Sequence, residues 1–413
     1  MALTSTGPVL SRERVLAPDL ARGLALLGIA LANSVAYVHD RSLGPLARPV
    51  DGSAADRVVD LLVGVAVDNR AFPMFTLLFA YGYVMVLRRQ AAAGVPWPQA
   101  RSLLLRRSGW LVAIGAAHLL LLFAGDIVLT YGLLGLALVW VTRWSERVLR
   151  LLGWSTLVVF VAFGALDGIG GAIDPTVPGF PAPGTFLGDL ALRALTAVNT
   201  VLLGPVFVLA FMPPAVIGIL LARHQVLEDP AAHLPLLRRL SALLAMSVLG
   251  AVPLVLMALQ LLDAGPAAAA LAGMLHGGTG LLGAVAFVGL VGWFVAVRNP
   301  PVKDVAGTGA PGGRRRGLVG AVAAVGERSL TCYLLQSVLF VPLLAPWALG
   351  LGEGAGTALV SAVAVAVYLV TLLVAVLLAR AGRAGPAEVL LRRLTYRAVP
   401  APGPQPRVQT APR

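Results

Sequence analysis

Ten apolar runs of helical length, joined by short polar connectors, constrain this chain more than any other feature of its sequence. A helix needs ~20 mostly apolar residues to cross roughly 30 Å of hydrocarbon. Runs of this kind lie at 20–38, 71–87, 103–122, 127–142, 148–166, 198–222, 240–262, 268–297, 330–349 and 358–379. Within hydrocarbon, backbone N–H and C=O groups find partners only inside helices or closed barrels, and runs this long select helices. The expected fold is all-α, a polytopic transmembrane bundle of about ten spans.

Composition agrees and removes other classes. Hydrophobic residues make up 58% of the chain and charged residues only 12%, against about 25% charged in a typical soluble domain. No stretch alternates globular composition with the apolar runs, so 1–398 reads as one transmembrane domain, and the tail at 399–413 is too poor in apolar residues to fold. The net charge of +13 does not point to nucleic acid, because the basic residues lie between the runs and form no aromatic-interleaved patch. A single cysteine, Cys332, rules out a disulfide framework. The first run is long and lacks a small-x-small cleavage site, so it reads as a retained span rather than a signal peptide.

Charge sets the orientation. Cytoplasmic loops of membrane proteins collect Lys and Arg. With the N-terminus inside, ten spans place all of the 32 Lys and Arg residues on the inner side except Arg41, Arg48, Arg57, Arg70 and Arg193. Both termini are therefore expected in the cytoplasm of a bacterial inner membrane, with the bilayer as the first partner. Three connectors have distinct characters: 56–69 reads as an external amphipathic helix, 167–197 as an external Gly- and Pro-rich loop, and 298–317 as a cytoplasmic linker. Pro205, Pro213 and Pro214 in the sixth span and Pro253 in the seventh predict bends or breaks.

Polar and ionisable side chains inside spans are costly and mark candidate sites. Asn33, His118 and His276 fall in the outer halves of spans, and Asp68, Arg70 and Asp126 at outer helix ends, so together they are expected to line one outward-facing polar cavity. His118 precedes a tight hairpin and Asp126 opens the returning helix, which brings the two together. A carboxylate there orients a neutral imidazole for general-base work; the alternative is that Asp126 caps its helix and His118 bonds a carbonyl. Arg70 is placed to grip an anion or a developing oxyanion, or else to pair with Asp68. Tyr333 and Gln336 put polar groups towards mid-membrane, as interhelical hydrogen bonds or as contacts to a substrate. There is no Walker loop, no HExxH, no paired CxxC and no metal-ligand cluster, and no Asp or Glu lies near the centre of a span. No bound cofactor or metal is expected.

Five segments together resemble the YeiB-like family of bacterial membrane proteins: PDLARGLALLGIALAN at 18–33, FPMFTLLFAYGY at 72–83, AAHLLLLFAGDIVLTYGLLGL at 116–136, ERSLTCYLLQS at 327–337 and GPAEVLLRRLTY at 385–396. Asp19, Arg22 and Gly23 match the family's first-span pattern, and His118, Gly125, Asp126 and Tyr131 its hairpin pattern; Ala80 and Cys332 depart from it. That family is similar to the transmembrane acyltransferase superfamily. The resemblance implies transfer of an acyl group from cytoplasmic acyl-CoA, as co-substrate, to an envelope glycan, lipid or small-molecule acceptor. His118 would be the base, Asp126 its orienting partner, and Arg70 or Asn33 the oxyanion donor. Asp68, Tyr131, His276, Tyr333 and Gln336 would line the substrate site, and Arg88, Arg89, Arg106 and Arg107 would meet the donor's phosphates. Two other readings stay open: a transporter or flippase for a small or lipid-linked molecule, and a non-enzymatic membrane scaffold.

Overall fold

The structure is a computed structural model that describes residues 15–169, 183–298 and 317–396. Nearly all of the linker expected at 298–317 and the whole tail at 399–413 lie outside the described residues. The described residues form an all-α polytopic bundle with no strand among them. It opens with α1 (Leu16–Ser34) and a 3-10 turn at Val35–Tyr37. Ser53 then starts α2 (Ala54–Ala66) with a reciprocal cap: its hydroxyl accepts from the Asp56 N–H while the Asp56 carboxylate accepts from the Ser53 N–H at 2.8 Å. α2 runs on into α3 (Ala71–Ala92), the two making one 39-residue candidate span.

A hairpin of α4 (Trp97–Leu121) and α5 (Val128–Val141) follows, then α6 (Glu146–Phe163), the short α7 (Ala165–Ile169), α8 (Phe186–Leu202) and α9 (Gly204–Arg223). The C-terminal half holds α10 (Leu234–Ala258), α11 (Pro266–Arg298), α12 (Gly317–Glu327), α13 (Ser329–Leu344), α14 (Thr357–Arg380) and α15 (Pro386–Tyr396). Among the described residues, eight helical segments are long and apolar enough to cross a membrane, and the pair α12 and α13, bent by 88° at Arg328, brings the number to nine when counted as one broken span. The remaining expected span, at 127–142, is α5, which at 14 residues falls short of crossing length. Most of α5 is buried against other helices, and irregular backbone at membrane depth is tolerated where protein covers it.

Local chemistry explains three departures from the sequence expectation. Residues 186–197, expected within an external loop, belong to α8, whose first turn is capped by the Thr185 hydroxyl and carries Asp189. Pro213 and Pro214 sit inside α9, and Pro253 inside α10, without interrupting either helix. The sixth span breaks at Leu203 instead, with Pro205 in the first turn of α9, where the missing N–H costs no hydrogen bond. α2 is amphipathic with its polar side turned inwards: Asp56 and Asp60 are buried while Val58, Leu61 and Leu62 are exposed, as suits a helix bounded by lipid.

Close backbone contact holds the site-bearing hairpin together. A Cβ at Gly115 of α4 would overlap the Leu129 amide of α5. Lipid is as apolar as a helix surface, so small residues that let helices approach supply much of the packing energy. Arg22, Arg89, Arg107 and Arg328 cluster at one end of the bundle, the arginine-rich end, around a shared cavity. The α4–α5 turn and Trp347 lie at the other, the hairpin end. Substituting Gly115→Leu should lower the thermal unfolding midpoint in detergent by the several degrees that overpacking of about 1–3 kcal/mol produces. On the same helix, Gly109 has nothing within 4 Å of a built Cβ, so Gly109→Ala should raise the midpoint slightly, by about 0.5–1 kcal/mol of recovered backbone entropy.

Candidate functional site

The α4–α5 hairpin presents a buried histidine–carboxylate dyad. His118 Nδ1 and Asp126 Oδ2 are 2.6 Å apart, and both side chains are almost fully buried. The other Asp126 oxygen accepts the Leu129 N–H at 2.7 Å, so Asp126 caps α5 and orients the imidazole at once. A carboxylate can only accept, which places a proton on His118 Nδ1; in the neutral imidazole the lone pair is then on Nε2. That Nε2 is buried and has no hydrogen-bond partner among the described residues. The Tyr333 ring packs on the imidazole with centroids 5.1 Å apart, and the Tyr333 hydroxyl accepts the Ile127 N–H at 3.3 Å, leaving its own proton free to donate.

Tyr333 is also part of the wall of a cavity of about 570 Å³ that extends from the arginine-rich end. Phe75, Phe79, Leu111, Ile127 and Tyr131 form its deep apolar part, and the dyad sits one ring behind that surface. Its polar part is lined by Arg22, Arg89, Arg107, Arg328 and Arg392, against Asp19, Glu327 and Glu388. The result is a basic mouth above an aromatic interior. Tyr131 is fixed in place by its hydroxyl, 3.1 Å from Thr76 Oγ1 and 3.3 Å from the Phe72 carbonyl.

C-terminal residues build the mouth by an arrangement the sequence did not reveal. The Glu388 carboxylate of α15 accepts the N–H groups of Leu330 and Thr331 at 2.8 and 3.1 Å and the Thr331 hydroxyl at 2.5 Å, capping α13 from another helix. Arg328, at the break between α12 and α13, donates to the Arg383 carbonyl at 2.7 Å. Asp19 and Arg22, an i,i+3 ion pair at 3.5 Å, also line the cavity, where Arg22 Nη2 donates to the Leu78 carbonyl at 2.9 Å.

Arg70, Asp68 and His276 do not join the dyad. They form a second buried network on α2, α3, α10 and α11 at the hairpin end, so the single outward-facing cavity expected from the sequence becomes two separate clusters. Arg70 Nε and Nη2 donate to the Ser247 hydroxyl and carbonyl at 3.1 and 2.8 Å, and Nη1 to the Asp68 carbonyl at 2.5 Å. His276 Nε2 lies 2.9 Å from the Gly64 carbonyl and 3.1 Å from Arg70 Nη1, and its Nδ1 lies 3.0 Å from Asn69 Nδ2. Arg48 pairs with Asp60 at 3.3 Å and Asp68 at 2.5 Å. With all three of its nitrogens engaged, Arg70 is held as a structural cross-link and makes no contact with His118 or Asp126.

The remaining expected residues are dispersed. Asn33 is half-buried near the end of α1. Gln336 Nε2 donates to the Leu26 carbonyl at 3.3 Å, while its buried Oε1 lacks a partner among the described residues. Of the four arginines expected at the donor phosphates, Arg89 and Arg107 line the cavity; Arg88 pairs with Glu228 at 2.9 Å, and Arg106 is outside the cavity wall. Among the described residues, no group of three or more His, Cys, Asp or Glu side chains could hold a metal ion.

Residues 221–398 match the family described as "Protein of unknown function (DUF418)". The chain is 27% identical over 163 residues to "Uncharacterized protein YxaH" of Bacillus subtilis (strain 168), covering 38% of this chain and 40% of that protein. It is 33% identical over 161 residues to "Uncharacterized protein YeiB" of Escherichia coli (strain K12), covering 37% of this chain and 38% of the relative. The chain thus spans about two-fifths of the length of these curated relatives. No solved structure matches. The matched family segment contains Arg328, Tyr333 and Glu388 but not His118 or Asp126.

The second network carries a stability prediction. Arg48→Met leaves the buried Asp60 and half-buried Asp68 carboxylates without their cation and should cost about 3–5 kcal/mol. Arg41→Met removes a pair whose carboxylate, Asp51, is 69% exposed, and should cost about 0–1 kcal/mol. Thermal unfolding of the two purified variants against the parent protein checks the contrast.

Proposed function

We propose that this multi-pass membrane protein transfers an acyl group from acyl-CoA to a hydroxyl-bearing acceptor, with His118 as the base. One observation carries the reading: a buried imidazole, oriented by Asp126 through Nδ1 and with Nε2 unpartnered among the described residues, sits one aromatic ring from a basic-mouthed cavity. The positive-inside rule assigns the arginine-rich end to the cytoplasm, where acyl-CoA is available. Arg89 and Arg107 receive the donor's phosphates, and the aromatic interior takes its acyl end. Nε2 removes the acceptor's hydroxyl proton, the freed oxygen attacks the thioester carbonyl, and the C–S bond breaks. The proton on Nε2 then passes to the departing thiolate, giving an ester and free CoA. The Tyr333 O–H supplies the oxyanion contact that the engaged Arg70 does not.

A second reading, passage of an anionic solute, draws on the discontinuous α12–α13 pair beside the cavity, since transporters often bind substrate at broken helices. Activity separates the two. The purified protein in nanodiscs, given radiolabelled acetyl-CoA and extracts of the cell envelope, should release CoA and label an acceptor. His118→Ala and Asp126→Asn should each lower the rate by about 10²–10⁴-fold, the range expected for loss of a general base or its orientation, with membrane insertion unchanged. A wild-type protein that releases no CoA with any extract, or a His118→Ala variant at the parent rate, defeats the acyl-transfer reading. Uptake of anionic solute into vesicles that survives His118→Ala would favour the second.

A further inference from the structure

α8 buries one residue, and it is an arginine. Leu187, Leu195, Val198 and Leu202 are 74%, 59%, 56% and 71% exposed on this helix, whereas Arg193 is 4% exposed. An arginine turned inwards from a lipid-facing helix is costly unless it has a task. Asp189, one turn earlier, balances its charge. The carboxylate accepts Arg193 Nε at 3.1 Å, makes a shorter contact with Nη2, and accepts the Trp347 indole N–H at 2.8 Å. Both Asp189 oxygens are therefore occupied, while Arg193 Nη1 is buried and has no partner among the described residues.

The Tyr37 hydroxyl is in the same condition: buried, and without a partner among the described residues. It lies in the field of Arg193 and Asp189. Its ring stacks on Phe123 of the α4–α5 turn with centroids 5.7 Å apart and packs on Phe340 at 5.8 Å. Two neighbouring polar groups left unsatisfied in the interior cost about 1–3 kcal/mol each, and more for a charged one. A ligand whose oxygens accept from each of them removes that cost. Charge count decides which oxygen. The Arg193–Asp189 pair is already neutral, so an anionic ligand would bring an uncompensated buried charge, whereas a hydroxyl or ester oxygen would not. Phe186, 41% exposed and edge-on to Trp347 at 5.2 Å, continues the apolar face of α8 out to the lipid.

We propose that Tyr37, Arg193 and Trp347 form a binding site for an uncharged glycerolipid. Its hydroxyl or ester oxygens accept from Arg193 Nη1 and the Tyr37 O–H, and its acyl chains lie along Phe186 and the apolar side of α8. The site is at the hairpin end, across Phe123 and Tyr37 from the His118 dyad and opposite the arginine-rich cavity. As the acceptor subsite it rests on the acyl-transfer reading; as a lipid site it does not.

The test is photolabelling of the full-length protein in phosphatidylcholine nanodiscs with a diazirine-bearing diacylglycerol, in the absence of acyl-CoA, with the labelled peptides mapped. Label is expected on peptides containing Phe186 or Trp347. Tyr37→Phe and Arg193→Met should each reduce it at least fivefold. Tyr37→Phe removes only an oxygen that lacks a partner, so the lipid-free variant should unfold at or above the parent temperature, which separates lost binding from lost folding. Unlabelled diacylglycerol should compete. Competition by free glycerol as well would mean the site reads the headgroup alone, which still supports an uncharged-oxygen site. Labelling indifferent to Tyr37→Phe, or stronger competition by anionic phosphatidylglycerol than by diacylglycerol, overturns the proposal. Because no acyl-CoA is present, failure here leaves CoA release by the His118 dyad untouched, and failure of CoA release leaves the lipid site standing.

Discussion

Hydrocarbon offers no hydrogen bonds, so every polar group at membrane depth must be answered from within the protein. That demand shapes the bundle. Backbone groups are answered inside the helices. The ionisable side chains are gathered into compact clusters: His118 with Asp126, Arg48 and Arg70 with their carboxylates and carbonyls, and Arg193 with Asp189. His118 Nε2 and Arg193 Nη1 are left without a hydrogen bond among the described residues, as are Arg48 Nε and Asp60 Oδ1, which face each other as an ion pair at 3.3 Å, while every nitrogen of Arg70 is engaged. Where the demand is met, the cluster stabilises the fold; where it is left open, a ligand can meet it.

Some of the open groups lie along one path through the molecule. Arginines line the cavity at one end, Tyr333 and the dyad stand behind its aromatic interior, and Tyr37 and Arg193 follow beyond the hairpin turn. Phe123, whose N–H donates to the His118 carbonyl at 3.0 Å and whose ring stacks on Tyr37, links the middle of the path to its far end. A reaction that joins a polar, phosphate-bearing donor to a lipid-borne hydroxyl needs such an order, with each substrate approaching the base from its own side.

The family match, restricted to 221–398, covers the helices that build the cavity mouth: the bent pair α12 and α13 and the α15 segment that caps it. Glu388 binds the exposed amides at the start of α13, so the C-terminal helix and the break stabilise each other. The His118 dyad lies outside that match. The matched segment therefore supplies one part of the cavity wall, with Arg328, Tyr333 and Glu388, while Arg22, Arg89, Arg107 and the aromatic interior come from outside it.

Sequence alone determined the helical, membrane-spanning class, because hydropathy and run length are local properties that a bilayer reads directly. It also determined the His118–Asp126 contact, since a tight turn makes two helices antiparallel neighbours whatever surrounds them. It could not tell which other polar residues would meet that pair. Arg70 and His276 share its expected depth, but depth says nothing about helix rotation, and rotation turned both towards Ser247 and Gly64. Arg193 was placed among external charges because a Gly- and Pro-rich stretch hid the start of α8; only the packed helix shows it facing inwards. Tertiary structure decided these matters, because the direction of a side chain on a helix is set by what the helix packs against, and those contacts join residues far apart in the chain.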